Sequence, residues 1–230
     1  MGAAVRCADN RAVSESPKAG AGILARIGAA CALSALCALL ATPGKAAGGH
    51  VGFLGCSNTV GAVSGYGLDG GTRFWPNTPT FTSYGGGTVE VWADPGTNDF
   101  GGWGTFQGAL ASFPDTSRVW VQICVKAGQA PAEVEPAAST VLAKVHELAP
   151  GRTVYVSALN GYSDHVCSLT GTSGATVAAS VRDWAVSHAL AVRGPTMPAL
   201  SKLQVMSDGC HPNPQGQKIL GAALISFFGS

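Results

Sequence analysis

Two short stretches at opposite ends of the chain carry the residues best suited to chemistry. Near the C-terminus, Ser207-Asp208-Gly209-Cys210-His211-Pro212-Asn213 sets an aspartate three residues before a histidine. The glycine between them suits a tight turn, which can aim both side chains into one cleft. A histidine held by a carboxylate is the general-base half of a serine triad, because the carboxylate fixes the imidazole tautomer. Asn213 also suits a plainer role as a helix N-cap, with His211 on the surface. Near the N-terminus of the folded part, Gly55-Cys56-Ser57-Asn58-Thr59 follows a short apolar run. A serine just past a buried strand can be exposed while its own N–H points at an oxyanion. A helix-capping serine is the plainer reading of that stretch.

The elements that must position these residues can be read from patterning. His50 to Gly55 reads as a short buried strand, with Val51, Phe53 and Leu54 as its apolar members. Residues 61–87 are rich in Gly, Pro, Thr and aromatics and read as loop. Val89, Val91 and Trp92 alternate with small or polar residues, which predicts a short strand. Asp94 to Gly104 reads as a Gly-rich loop, and Thr105 to Phe113 as a short helix. Val119 to Val125 is β-branched and aromatic, and is the clearest central strand. A helix follows with Val141, Leu142, Val145, Leu148 and Ala149 on one face, stopped by Pro150-Gly151. Val154 to Leu159 predicts a further strand. Ser173 to Arg193 predicts a long helix, ended by Gly194-Pro195. Leu203 to Met206 predicts a last strand, and Pro214 opens a final helix.

Strands alternating with helices imply a parallel sheet covered on both faces. Ligands in such folds bind beyond the C-terminal ends of the strands. Ser57, Lys126, Asn160 and Asp208 each lie just past a predicted strand, so they are expected along one edge.

The chain has 230 residues and a net charge of +1, with 46% hydrophobic and 12% charged residues. That composition builds a core and excludes a disordered chain. Near-neutral charge gives no basis for a nucleic-acid partner. Arg6, Arg11, Lys18 and Arg26 precede an apolar run from Ile27 to Ala41, followed by small residues. The pattern predicts an export leader over 1–47, cleaved near Ala46 or Ala47, ahead of one domain over 48–230. The run is shorter than the roughly 20 apolar residues of a membrane span, so no stable span is expected after processing. Three of the seven cysteines, Cys7, Cys31 and Cys37, fall in the leader; Cys56, Cys124, Cys167 and Cys210 remain. Four cysteines in an exported domain suggest two disulfides, with the pairing open. None has zinc-type spacing, which gives no basis for a metal site.

Taken together, GCSNT and DGCHPNPQG resemble the two end blocks of the SGNH, or GDSL-like, hydrolases. In that family a serine lies in a G-D-S-x-[ST] block after the first strand, and a D-x-x-H block precedes the last helix. The resemblance spans nearly all of residues 50–228. It implies a flavodoxin-like three-layer α/β/α sandwich with a central parallel sheet, the SGNH hydrolase fold. The family contains esterases, lipases, carbohydrate deacetylases and acyltransferases. By position the resemblance makes Ser57 the nucleophile, His211 the base and Asp208 the orienting acid. It implies a small-molecule or glycan ester substrate, such as a short acyl ester or carbohydrate O-acetyl group, and no metal or organic cofactor.

Three positions depart from the family pattern. Cys56 stands where the family usually has Asp. The glycine that donates to the oxyanion falls among Gly85, Gly86 and Gly87, with Gly86 favoured. The G-x-N-D block is absent, and Lys126 falls where its Asn would lie, with Asn160 as a substitute donor. The oxyanion hole implied is therefore the Ser57 N–H, Gly86 and Lys126. The family strand order also implies the disulfides Cys56–Cys124 and Cys167–Cys210, each beside a catalytic loop. Two other functions fit the same scaffold: a non-catalytic ligand-binding protein, and an acyltransferase with a sugar hydroxyl in place of water. Asp164-His165 reads as a surface pair. His146 and His188 read as structural, and Trp75, Trp92 and Trp103 as core or pocket-lining aromatics.

Overall fold

The computed structural model describes residues 48–76, 87–94 and 102–230. The expected leader, Gly85 and Gly86 lie outside them. Strand β1 (Val51–Leu54) leads into helix α1 (Ser57–Leu68). Short helices α2 (Val89–Ala93) and α3 (Gly102–Ser112) precede β2 (Arg118–Ile123). Helix α4 (Pro131–Leu148), β3 (Thr153–Ala158), α5 (Gly174–Ser187) and β4 (Val192–Arg193) follow. A 3-10 turn (Lys202–Gln204) leads to α6 (Pro214–Phe228).

The four strands are parallel, in the order β1-β2-β3-β4. A lone parallel bridge joins Val51 to Phe74 on the other side of β1. Counting that bridge as a vestigial second strand gives the order 2-1-3-4-5 of flavodoxin-like sheets. The chain leaves β1 in one direction and β2 in the other. Right-handed crossovers therefore put α1 on one face and α4 and α5 on the opposite face. The packing agrees: α1 lies on α6, and α4 lies on α5. The result is an α/β sandwich with its parallel sheet between helices. β2 is buried at every position, including Arg118 and Gln122, as a central strand covered on both faces must be.

The α1–α6 contact explains a misreading. Residues 61–87 read as loop because of their glycines, yet α1 runs to Leu68. Gly65, at least, serves helix packing rather than a turn. A Cβ on Gly65 would lie 1.7 Å from the Gln217 carbonyl oxygen, and one on Gly221 would lie 2.2 Å from the Gly65 carbonyl carbon. Only bare backbone fits that approach.

Three other expectations are corrected. Val89–Ala93 is a helical turn rather than a strand; Val89 and Trp92, three apart, are its buried residues, a spacing that one helical face supplies. The helix expected to reach Arg193 stops at Ser187, where His188 forms the C-cap and Ala189 adopts φ 55°. Val192–Arg193 then pairs with β3. The strand expected at Leu203–Met206 is replaced by the 3-10 turn, and Val205 makes only a single bridge to Pro212. Among the described residues no helix is long and apolar enough to cross a membrane.

Candidate active site

Ser57 is the first residue of α1, directly after β1 and the Gly55-Cys56 link. Two bonds fix that link. The Cys56 N–H donates to Thr59 Oγ1 at 2.9 Å, and Thr59 Oγ1 donates to Gln122 Oε1 on β2 at 2.6 Å. The Ser57 segment is thus tied to the central strand, and Ser57 itself stays exposed.

The C-terminal block folds into a compact turn. Asp208 Oδ1 accepts from the backbone N–H groups of Cys210 (2.8 Å) and His211 (3.0 Å). Gly209 sits at φ 69°, a left-handed conformation that glycine adopts at little cost. The other carboxylate oxygen, Asp208 Oδ2, accepts from His211 Nδ1 at 2.5 Å. His211 Nε2 lies 2.7 Å from Ser57 Oγ. An ionised carboxylate can only accept, so Nδ1 carries the proton and Nε2 is left to accept from the Ser57 hydroxyl. The His211 bond, with the two backbone donors, holds the Asp208 carboxyl down at about 2. The structure therefore brings Ser57, His211 and Asp208 into a contiguous chain of hydrogen bonds across 154 residues of sequence. Asn213 caps α6 as well, accepting from Gln215 N and Gly216 N. Capping and the Asp–His turn are compatible, not alternatives.

One loop, the segment after β3, clamps this turn. Tyr162 donates its hydroxyl to the Cys210 carbonyl at 2.6 Å and accepts from Asn58 Nδ2 at 3.1 Å. His165 Nε2 meets the Gly209 carbonyl at 3.0 Å, while its Nδ1 meets Asp164 Oδ1 at 2.9 Å. Asp164-His165 is a pair with Asp164 exposed, and its imidazole also meets the Asp208–His211 turn. The sequence signalled Asn58 only by its place next to Ser57, and nothing in spacing alone pointed to Tyr162.

The disulfides follow the pairing that the resemblance implies. Cys56 bonds to Cys124, with Cα atoms 6.1 Å apart, and Cys167 bonds to Cys210, with Cα atoms 4.8 Å apart. The first joins the ends of β1 and β2 beside Ser57. The second fastens the post-β3 loop between Asp208 and His211.

Ser57 and His211 open on a cavity of about 400 Å³. Both disulfides, Val125, Leu159 and Leu169 form much of its wall, and Lys126 stands at its edge. The candidate oxyanion donors differ in their placement. Asn160 is fully buried and engaged internally, with Oδ1 accepting from Asn58 and Nδ2 donating to the Gly161 carbonyl. It does not line the cavity. Lys126 is exposed, and Gln129 Oε1 accepts from its backbone N–H at 2.6 Å. The Gly87 N–H donates to the Gly55 carbonyl at 3.3 Å. Thr88 also lines the cavity, and its buried hydroxyl has no partner among the described residues. It does not cap α2 either. Among the described residues no cluster of three or more His, Cys, Asp or Glu could hold a metal ion.

Neither a protein-family model nor a curated protein sequence matches the chain. The similar solved structures, at low identity, include two of named function. One is a carbohydrate esterase family 3 structure from Talaromyces cellulolyticus: TM-score 0.45, 13% identity, covering 77% of this chain and 94% of that one. The other is the periplasmic domain of a lipopolysaccharide acetyltransferase from Salmonella ser. Paratyphi A: TM-score 0.44, 12% identity, covering 78% and 83%. At such scores neither carries any part of the functional reading.

Proposed function

We propose that the chain is an exported serine esterase of the SGNH type that cleaves an acyl ester through Ser57, His211 and Asp208. The observation that carries this reading is the 2.7 Å contact between Ser57 Oγ and His211 Nε2, with Asp208 bonded across the ring, at the mouth of a cavity. In this reading His211 takes the Ser57 proton as Oγ attacks the acyl carbon. The Ser57 N–H, with Gly86 and Lys126, stabilises the oxyanion. His211 then returns the proton to the leaving alcohol, and water, activated by the same imidazole, releases the carboxylic acid. Asp208 stays ionised and holds the ring. A short acyl ester, including an O-acetyl group on a glycan, is the substrate class that the family resemblance suggests. The two disulfides support an oxidising location outside the cytosol.

A ligand-binding protein on this scaffold would have no use for an imidazole poised between a carboxylate and an exposed hydroxyl. An acyltransferase would share the first half-reaction and differ only in the acceptor. The test is release of carboxylic acid from a panel of aryl and alkyl esters by the purified, oxidised protein. Turnover that falls to background in Ser57→Ala supports the reading, and turnover that survives the substitution overturns it. Product analysis with added sugars separates hydrolysis from transfer.

A further inference from the structure

Thr88 has a hydroxyl that the fold does not use. Its oxygen is buried, and it has no hydrogen-bond partner among the described residues. A threonine directly before a helix ordinarily caps it through that hydroxyl, yet Thr88 makes no such bond to α2. A buried hydroxyl left unsatisfied costs stability. Such a group in a folded protein calls for an explanation, and a functional role is one.

The backbone on either side of Thr88 is fixed to the two strand ends that frame Ser57. The Gly87 N–H and Trp92 Nε1 both donate to the Gly55 carbonyl, at 3.3 and 2.8 Å, just before the Cys56-Ser57 pair. The Val89 N–H donates to the Cys124 carbonyl at 3.0 Å, and Cys124 is bonded to Cys56. Thr88 is therefore held between the ends of β1 and β2, and it lines the same cavity as Ser57, His211 and Lys126. The other side-chain donors considered for an oxyanion are less suited. Asn160 does not line the cavity, and Lys126 is exposed, so water screens its charge. A hydroxyl on a β-branched side chain has few rotamers. Thr88 thus offers a donor whose place is largely set before a substrate arrives, the kind of dipole that stabilises developing charge most effectively.

We propose that Thr88 is a further catalytic residue, whose hydroxyl donates a hydrogen bond to the oxyanion formed when Ser57 attacks an ester. This rests on reading Ser57, His211 and Asp208 as a serine esterase. In the attack, Ser57 Oγ bonds to the acyl carbon, its proton passes to His211 Nε2, and the carbonyl π pair moves onto the oxygen. Thr88 keeps its proton and shares it with that oxygen. On collapse the pair re-forms the carbonyl, the bond to the alcohol oxygen breaks, and His211 returns the proton to the leaving alcohol. The Thr88 bond is stronger to the charged oxygen than to the neutral carbonyl, so it acts on the rate rather than on substrate binding.

The test compares the wild type with Thr88→Val, Thr88→Ala and Thr88→Ser, each with both disulfides formed, on 4-nitrophenyl acetate. Val keeps the shape and loses the hydroxyl; Ser keeps the hydroxyl. The two hydroxyl-free variants should lose about 100-fold in kcat, with KM little changed, while Thr88→Ser loses less than about tenfold. Thr88→Val should melt at or above the wild-type Tm, because it removes an unsatisfied buried hydroxyl. A fall in kcat of less than about tenfold in the hydroxyl-free variants, an effect on KM alone, or equal losses in all three variants alongside a lower Tm overturns the proposal. Failure of the esterase reading looks different and overturns both: the wild-type protein itself neither turns over 4-nitrophenyl acetate nor takes a fluorophosphonate adduct.

Discussion

Tyr162 bonds to the Cys210 carbonyl at 2.6 Å and, through Asn58, reaches the residue next to Ser57. A single phenol thus couples the Ser57 segment to the turn that carries His211. Burial pushes the Tyr162 hydroxyl up, which keeps it protonated and donating. Replacing it with Phe removes the donor to the Cys210 carbonyl and one of the two acceptors of Asn58 Nδ2, and loosens the relative position of Ser57 and His211. Displacements of about 1 Å can cost on the order of 100-fold in rate. Tyr162→Phe should lower kcat by about tenfold or more with little change in KM. Steady-state kinetics, beside a melting curve, check this; a fall in Tm with unchanged kcat would assign Tyr162 to stability alone.

Asp208 acts on His211 in two ways that separate with pH. Its carboxyl lies below the ordinary value of 3.8, at about 2, chiefly through the His211 bond. A depressed folded-state value stabilises the fold above the unfolded value, and that stabilisation fades as pH falls through the folded one. The stability gap between wild type and Asp208→Asn should be flat above about pH 4 and close between about pH 4 and 2. The gap should be small, because the side chain is 45% exposed and screened by water. Turnover near pH 7 should fall much further, by about 10³–10⁴-fold, through loss of the correct tautomer. Denaturant titrations across pH and kcat measurements test the two effects separately.

Lys126 stands at the cavity edge with its backbone fixed by Gln129. A dedicated oxyanion donor contributes about 100–1000-fold in rate; an exposed ammonium, partly screened by water, should contribute less. Lys126→Ala should lower kcat by about 10–100-fold and leave Tm unchanged. An unchanged kcat would move the donor role to Gly86 or to the unpartnered Thr88 hydroxyl.

The disulfides close loops of 68 and 43 residues in sequence separation. Bridges of this kind each stabilise by about 2–4 kcal/mol. Cys210→Ser should lower Tm, and it should lower activity disproportionately, because Cys210 lies between Asp208 and His211. Peptide mapping under non-reducing conditions checks the pairing; a free Cys210 thiol in the native protein would contradict it.

Much of this architecture could be read before the fold was known. β1, β2 and β3 announced themselves as short apolar runs between turn residues, and their alternation with helices implied a parallel sheet. α4 and α6 were legible from helical spacing and from Pro214 after a capping Asn213. α1 was not. Gly61, Gly65 and Gly67 lower helix propensity, and close packing against α6 overrides propensity only once the partner helix is present. The Asp208–His211 pair was legible because its members are three residues apart. The clamp was not: Tyr162 and Asn58 are 104 residues apart, and no local pattern announces such a bond. The Asp164-His165 pair was legible as a pair; its bond to the Gly209 carbonyl was not, because the two lie 44 residues apart.

The central claim is that Ser57 is an activated nucleophile, and covalent capture tests it most directly. The oxidised wild-type protein, treated with a fluorophosphonate, should gain one adduct by intact mass, mapped to Ser57. The adduct should vanish in Ser57→Ala and slow strongly in His211→Asn. No adduct on folded, oxidised protein, or an adduct that persists in Ser57→Ala, would contradict the account.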